Sequence, residues 1–209
     1  MEIVDLGLVA DDPAALQATL QAAVSQADVV LTSGGVSVGE ADYTREVLAR
    51  MGTVAFWKVA MRPGRPFAFG PLRRAGTGAG AGAGAGVGAE KGPVWLFALP
   101  GNPVAALVTF YAFAREALQQ LSGAQPEPLP VLQARCSSAI RKRPGRTEFQ
   151  RGIVEPAPDG GWRVRLTGAQ GAGILRSMSE ANALVVLRHE QGSVAEGEPV
   201  DVWLFEGLI

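Results

Sequence analysis

The chain has 209 residues, enough for one large domain or two modest ones, and 47% of them are hydrophobic, so a real core can be buried. Its formal net charge is −1, which excludes a global basic field for nucleic acid and leaves any anionic ligand to local donors. One cysteine, Cys136, and one histidine, His189, exclude an intrachain disulfide, a Cys/His zinc cluster and any Ser-His or Cys-His catalysis not built on His189.

In chain order, Ile3 to Val9 reads as a short apolar strand. Asp11-Asp12-Pro13 is a helix start: Asp12 caps and Pro13 takes the first helical position, where a missing N–H is harmless. Leu16, Leu20 and Ala23 follow at helical spacing. Val29-Val30-Leu31 reads as a buried strand that runs into the loop Thr32 to Ala41, and a second helix spans about Tyr43 to Met51 with Val47 and Leu48 inward. Val54 to Ala60 and Pro66 to Leu72 read as strands joined by Arg62-Pro63-Gly64-Arg65-Pro66. Val94 to Leu99 is another buried strand, followed by Pro100-Gly101-Asn102-Pro103 and a long helix to about Leu121, with Asn102 as cap and Gly123 as stop. Strands alternating with helices predict an α/β sheet with parallel strands, whose ligands bind at the strand carboxyl ends. The loops Thr32 to Ala41 and Pro100 to Pro103 both leave such ends and both enter helices.

Residues 75–92 are a low-complexity Ala/Gly insert with almost nothing to bury, and read as a surface loop. Pro126, Pro128 and Pro130 mark a linker. Beyond it Val131 to Ile140, Glu148 to Glu155, Trp162 to Thr167, Ala183 to Arg188 and Val200 to Phe205 read as short strands, with Asp159-Gly160-Gly161 as a hairpin turn and no helical period. His189 reads as a solvated strand histidine. This predicts an α/β domain over 1–125 and a small all-β barrel or sandwich over 126–209. The acidic N-terminus reads as no signal peptide, and no run of about 18 apolar residues predicts a membrane helix. The expected setting is cytoplasmic.

Three constellations carry chemistry. In Thr32-Ser33-Gly34-Gly35-Val36-Ser37-Val38-Gly39-Glu40-Ala41-Asp42, glycines turn backbone N–H groups inward, hydroxyls add donors and a helix N-terminus follows. That pattern suits a phosphate or oxyanion cradle; a plain Gly-rich turn is the structural alternative, and the P-loop ending is absent. Asp42 fits a helix cap, a metal ligand through a Mg²⁺ water, or a base. In Arg62-Pro63-Gly64-Arg65-Pro66, two guanidinium groups on a stiffened turn suit a multi-oxygen anion, or form a solvated hairpin. In Leu99-Pro100-Gly101-Asn102-Pro103, amides precede a helix and suit an anion or a polar ring edge, or serve only to cap. A ligand with a phosphate, an oxyanion and a polar ring satisfies all three.

Together these residues resemble the molybdopterin molybdotransferase family, the MoeA and gephyrin E-domain family. The resemblance runs through 32–44, Phe-Trp-Lys-Val-Ala-Met-Arg-Pro-Gly-Arg-Pro-Phe-Ala-Phe-Gly (56–70), Leu-Pro-Gly-Asn-Pro-Val (99–104), Pro-Gly-Arg-Thr-Glu-Phe-Gln-Arg-Gly (144–152) and Ser-Met-Ser-Glu-Ala-Asn-Ala-Leu (177–184). It implies a three-layer α/β/α molybdopterin-binding domain, incomplete at its N-terminus, followed by a barrel-like C-terminal domain. It implies insertion of molybdate into adenylylated molybdopterin with release of AMP and a need for Mg²⁺. It also implies a homodimer in the full-length protein, a molybdopterin adenylyltransferase partner, and no nucleic acid or membrane. By position, Thr32, Ser33, Gly34, Gly35, Gly101, Asn102 and Pro103 match the pterin-nucleotide site. Ser37, Arg62, Arg65, Pro66, Arg146 and Ser177 match the molybdate-contacting region, and Asp42 matches the catalytic and metal-linked carboxylate.

The chain departs from the family's pattern in four places. Both Pro-Gly turn positions are Arg where Lys is usual. Ala105 stands where a Ser often follows Asn-Pro-Val. Arg73-Arg74 and the insert occupy the place of a carboxylate. The first strand of the α/β domain, with its Ser/Thr-Gly-Asp-Glu motif, and two N-terminal domains are not in the sequence. Three expectations therefore stand side by side: an enzyme of molybdenum cofactor synthesis or its C-terminal portion, a molybdopterin-binding module without turnover, and a gephyrin-like scaffold.

Overall fold

A computed structural model describes residues 1–36, 42–74, 92–171 and 173–205; residues 75–91 of the Ala/Gly insert and Ser37 lie outside the described residues, as does the side chain of Asp42. Two compact units interleave along the chain, one comprising 1–57 and 66–101, the other 58–65 and 102–209.

The first unit is an α/β layer. Helix α1 (Pro13–Gln26) starts as the sequence predicts, with Asp12 Oδ2 accepting from Ala15 N at 2.7 Å and Pro13 in the first turn. It ends against Arg74, whose Nη1 donates to Val24 O and Ala27 O at 3.3 and 3.2 Å. Strand β1 (Val29–Ser33), helix α2 (Asp42–Met51), β2 (Ala55–Lys58), β4 (Pro66–Leu72) and β5 (Val94–Leu99) complete it; the two-residue β3 (Met61–Arg62) belongs to the second unit. The sheet order is β1-β5-β4-β2. Leu20, Ala23 and Val24 of α1 and Val47 and Leu48 of α2 pack with Leu72, Val94, Leu96 and Ala98 in one core. Phe69 stacks on Trp95 at 5.3 Å and packs against Phe97 at 4.8 Å.

Two expectations fail here. The sheet is mixed: β1 and β5 are parallel, but β4 pairs antiparallel with β5. No amphipathic period exists in the sequence between β4 and β5 to build the crossover helix that a parallel pair needs. Ile3 to Val9 is irregular, with Ile3 and Leu8 fully exposed, because a lone apolar run becomes a strand only by pairing and none of the described strands pairs with it.

The second unit is a closed five-stranded barrel with an added edge strand. Strands β6 (Val131–Cys136), β7 (Thr147–Pro156), β8 (Trp162–Leu166), β9 (Ala183–Leu187) and β10 (Pro199–Leu204) run in the order β7-β8-β6-β10-β9 and close through β9 on β7. Strand β3 pairs parallel with β7 at the edge. Val154, Val164, Val185, Val200 and Val202 fill the inside. Asp159-Gly160-Gly161 forms the β7–β8 turn as predicted, with Gly160 at φ +83° and Gly161 N on Asp159 Oδ1 at 3.2 Å. A short helix, α5 (Leu175–Ser179), interrupts the all-β expectation; five residues are too few to leave a periodic signature.

The long helix after Asn102 is three pieces: α3 (Pro103–Thr109), a π turn (Phe110–Ala114) and α4 (Arg115–Leu121). Gly123, at φ +81°, stops it as expected. Gly123 N donates to Gln120 O and Ala124 N to Gln119 O, the paired bonds that close a helix on a left-handed residue.

Cys136 lies inside the barrel at 2% exposure, and burial, with Glu198 adding repulsion, pushes its thiol above the usual value. Native Cys136 is expected to react with an aromatic disulfide reagent at pH 8 about a hundredfold slower than in urea, read by absorbance. The unfolded thiol ionises first as pH rises, so stability falls above the ordinary thiol pKa.

Candidate functional site

In the first unit the two predicted loops meet. Ser33 and Leu99 are register partners on parallel strands, so both carboxyl ends coincide. Gly34 N donates to Leu99 O at 3.0 Å and Ser33 Oγ to Pro100 O at 3.2 Å. A Cβ on Gly101 would lie 3.2 Å from Gly34 Cα, and Gly34 and Gly35 have φ of +104° and +71°. These glycines are required by close backbone approach and by left-handed geometry, which leaves an open backbone surface. Thr32 is half-buried and Ser33 and Gly35 are exposed. Beneath Gly35, Thr44 Oγ1 is buried with no partner among the described residues.

The second unit holds the arginine turn. Val59 N donates to Arg65 O at 2.8 Å and closes the turn. Gly64, at φ +96°, lies so close to Thr109 Oγ1 that no side chain fits between them. The packed apex holds Arg62 and Arg65 outward, both exposed, and neither forms an ion pair among the described residues. Pro66 opens β4 in the first unit and is half-buried. Asn102 corrects an expectation: its side chain makes no capping bond to α3, and its Oδ1 is buried without a partner among the described residues. Pro103 does occupy the first turn of α3. A Cβ on Gly173 would sit 3.5 Å from Asn102 Nδ2, so the carboxamide turns toward that loop instead of its own helix.

Arg146 lies just before β7, half-exposed, with Nε on Glu148 Oε1 at 2.8 Å. Glu148 is the Cα partner of Arg62 across the β3–β7 pair. The structure thus brings Arg62 and Arg146 to one strand edge. Ser177 joins a different cluster. Arg151 is fully buried with no carboxylate partner among the described residues. Its Nε and Nη2 donate to Ser177 Oγ at 3.0 and 2.9 Å, and it also donates to the carbonyls of Ala169, Gln170 and Gly171. The Ser177 hydroxyl donates to Ile174 O at 2.7 Å, so its proton is already committed. Burial lowers the Arg151 guanidinium below the ordinary arginine value, and repulsion from Arg62 adds to it. A shallow recess of about 230 Å³ lies over this cluster, lined by Thr167, Ala169, Ile174, Arg176, Ser177 and Glu180.

Sequence reading missed Glu148, Gln150 and Arg151. The alternation Arg146, Glu148, Gln150 in a strand flanked by apolar residues was the available signal, since one face of a barrel strand is otherwise apolar. His189 is exposed at a turn, away from strands, and enters neither cluster. Among the described residues no three His, Cys, Asp or Glu side chains come together to hold a metal, and no helix is long and apolar enough to cross a membrane.

Comparison with known proteins matches the chain in two consecutive regions, whose boundary falls after the helix that begins at Pro103 and not at residue 101 where the first compact unit ends. Residues 1–120 match the family described as "Probable molybdopterin binding domain", and residues 133–205 match "MoeA C-terminal region (domain IV)". The chain is 40% identical over 209 residues to the molybdopterin molybdenumtransferase of Haemophilus influenzae, covering all of this chain and 47% of that protein. It is 35% identical over 202 residues to gephyrin of Dictyostelium discoideum, covering 93% of this chain and 28% of that one. The solved molybdopterin biosynthesis MoeA protein of Pyrococcus horikoshii OT3 superposes with a TM-score of 0.66 at 25% identity, over 95% of this chain and 41% of that chain. The chain spans about half the length, or less, of the curated relatives it matches. On these matches the chain belongs to the MoeA family, and it carries that family's molybdopterin-binding domain and its C-terminal region.

Proposed function

We propose that this chain supplies the pterin-binding and molybdate-binding halves of a molybdopterin molybdotransferase, which inserts molybdate into the dithiolene of adenylylated molybdopterin and releases AMP. The observation that carries the reading is the arginine edge of the second unit. Arg62 and Arg65 lack ion pairs, and Arg146 keeps both Nη groups free of protein partners among the described residues. Cations left unpaired and outward on a stiffened turn suit a compact dianion such as molybdate. In the first unit, Thr32, Ser33, Gly35 and Gly101 line the face proposed for the pterin nucleotide, Gly34, its N–H spent on Leu99 O, allows the close approach, and Thr44 adds a spare hydroxyl below them. By resemblance alone, Asn102, whose carboxamide oxygen has no partner among the described residues, and Pro103 are assigned to the pterin nucleotide. Ser37 and Pro66 complete the molybdate set by resemblance. Ser177 contributes by anchoring its loop, because its hydroxyl proton is taken.

Asp42, the first residue of α2, is assigned to positioning the attacking water at the adenylate. Mg²⁺ belongs to this proposal by resemblance alone, with Asp42 as the residue that would hold it. The setting proposed is a cytoplasmic homodimer that receives its substrate from a molybdopterin adenylyltransferase.

The test is molybdopterin titration of the purified 209-residue chain by ligand fluorescence, with molybdate-dependent AMP release read in the same sample. Asp42→Ala is expected to abolish release while leaving ligand affinity within about tenfold, or about 1.4 kcal/mol. Binding without release by the parent chain makes it a ligand module completed by other parts of a full-length enzyme. No binding by the folded chain sinks the assignment.

A further inference from the structure

We propose that Glu148 is the positioning residue of the anion seat, holding Arg146 so that only its Nη1/Nη2 edge is offered to a tetrahedral dianion. The inference rests on the molybdate reading above. Glu148 is 4% exposed, unusual for a carboxylate, and both of its oxygens are engaged: Oε1 accepts from Arg146 Nε at 2.8 Å and Oε2 from Gln150 Nε2 at 3.0 Å. Its cross-strand partner is Leu187 and that of Gln150 is Val185, both core residues of the barrel, so Glu148 and Gln150 sit on the lining side of β7. The carboxylate cannot swing away. A surface ion pair contributes little, because both partners move; here one partner is fixed inside the protein and the other is not.

The geometry of the bond decides what Arg146 has left. A guanidinium can clasp an oxyanion side-on through Nε and one Nη, or end-on through both Nη groups. With Nε taken by Glu148, the end-on edge alone remains, and Arg146 has no other hydrogen bond among the described residues. Across the β3–β7 pair, Arg62 stands opposite Glu148. The buried carboxylate thus sets the direction of the Arg146 guanidinium.

The sign of one experiment separates this role from a bystander's. A carboxylate beside an anion seat repels the anion, so by Coulomb's law alone its neutralisation strengthens binding. A positioning carboxylate gives the opposite result. In the ¹⁵N-labelled 209-residue chain, the Arg146 Nε–Hε resonance is assigned by its loss in Arg146→Lys, and sodium molybdate is titrated in. Glu148→Gln, nearly equal in volume, is expected to speed Hε exchange at least about fivefold and weaken molybdate about tenfold, with the amide spectrum retained. Glu148→Asp, which keeps the charge, is expected to recover part of both. Tighter molybdate binding in Glu148→Gln, or unchanged Hε exchange, overturns the positioning role. If Glu148→Gln loses its native amide spectrum, Glu148→Asp decides: Hε exchange and molybdate affinity both at parental values would overturn the role equally. A parent chain whose Hε is slow but whose spectrum never responds to molybdate overturns the anion reading instead, and with it the seat that Glu148 is said to serve.

Discussion

Arg151→Leu is expected to destabilise the second unit by about 3–5 kcal/mol, the largest single-residue effect in that unit. The side chain donates five hydrogen bonds, to Ser177 Oγ twice and to the carbonyls of residues 169, 170 and 171. Leucine fills the space and leaves those acceptors without a donor. Gln170 makes the loss cooperative: its Oε1 accepts from Arg151 N at 2.7 Å and its Nε2 donates to Arg151 O at 3.0 Å, so side chain and backbone of both residues lock one loop to β7. Arg151→Lys is expected to recover less than half of the loss, because an ammonium cannot reach a carbonyl row and a hydroxyl in one plane. Urea unfolding followed by far-UV circular dichroism measures both. A loss under about 1 kcal/mol for leucine means that water replaces the guanidinium and the knot is not structural.

Gly64→Ala is expected to cost about 3 kcal/mol and to lower molybdate affinity with it. Two separate effects combine. The residue has φ +96°, where a Cβ is strained by about 1–2 kcal/mol, and the new methyl meets Thr109 Oγ1 and Met61 Cε. Thr109 is fully buried on α3 and its hydroxyl has no partner among the described residues, so it can be removed at small loss. In the double variant Gly64→Ala with Thr109→Ala, the steric part is expected to vanish and the backbone part to remain. The coupling between the two sites, read from four denaturation curves, is therefore expected to be about 1–2 kcal/mol. Coupling near zero would mean that the turn moves off α3 to accommodate the methyl. The molybdate titration then shows whether the displaced turn still presents Arg62 and Arg65.

These two sites mark where sequence reading ends. Local chemistry is readable from sequence because it is decided within a few residues. Asp12-Pro13 starts α1, Gly123 stops α4, Asp159-Gly160-Gly161 turns the β7–β8 hairpin, and alternating short strands announce the barrel. The glycines of Thr32 to Gly35 and of Pro100-Gly101 are legible for the same reason, since a missing Cβ declares a close approach even before its partner is known. What the sequence leaves open is the identity of partners distant along the chain. That Gly34 meets Gly101, that Gly64 meets Thr109, and that Arg151 rather than an oxyanion takes the Ser177 hydroxyl all depend on contacts between remote segments. Ile3 to Val9 has strand composition but no paired neighbour, and Asn102 has cap composition but turns toward Gly173. Propensity is a short-range quantity worth tenths of a kcal/mol per residue, whereas pairing, burial and satisfaction of buried polar groups are worth several and are settled only when the chain closes on itself. The sequence by itself determined the family, the α/β-then-barrel order and the residues with the right chemistry; the tertiary structure decided which of them are free to bind and which are spent holding the others in place.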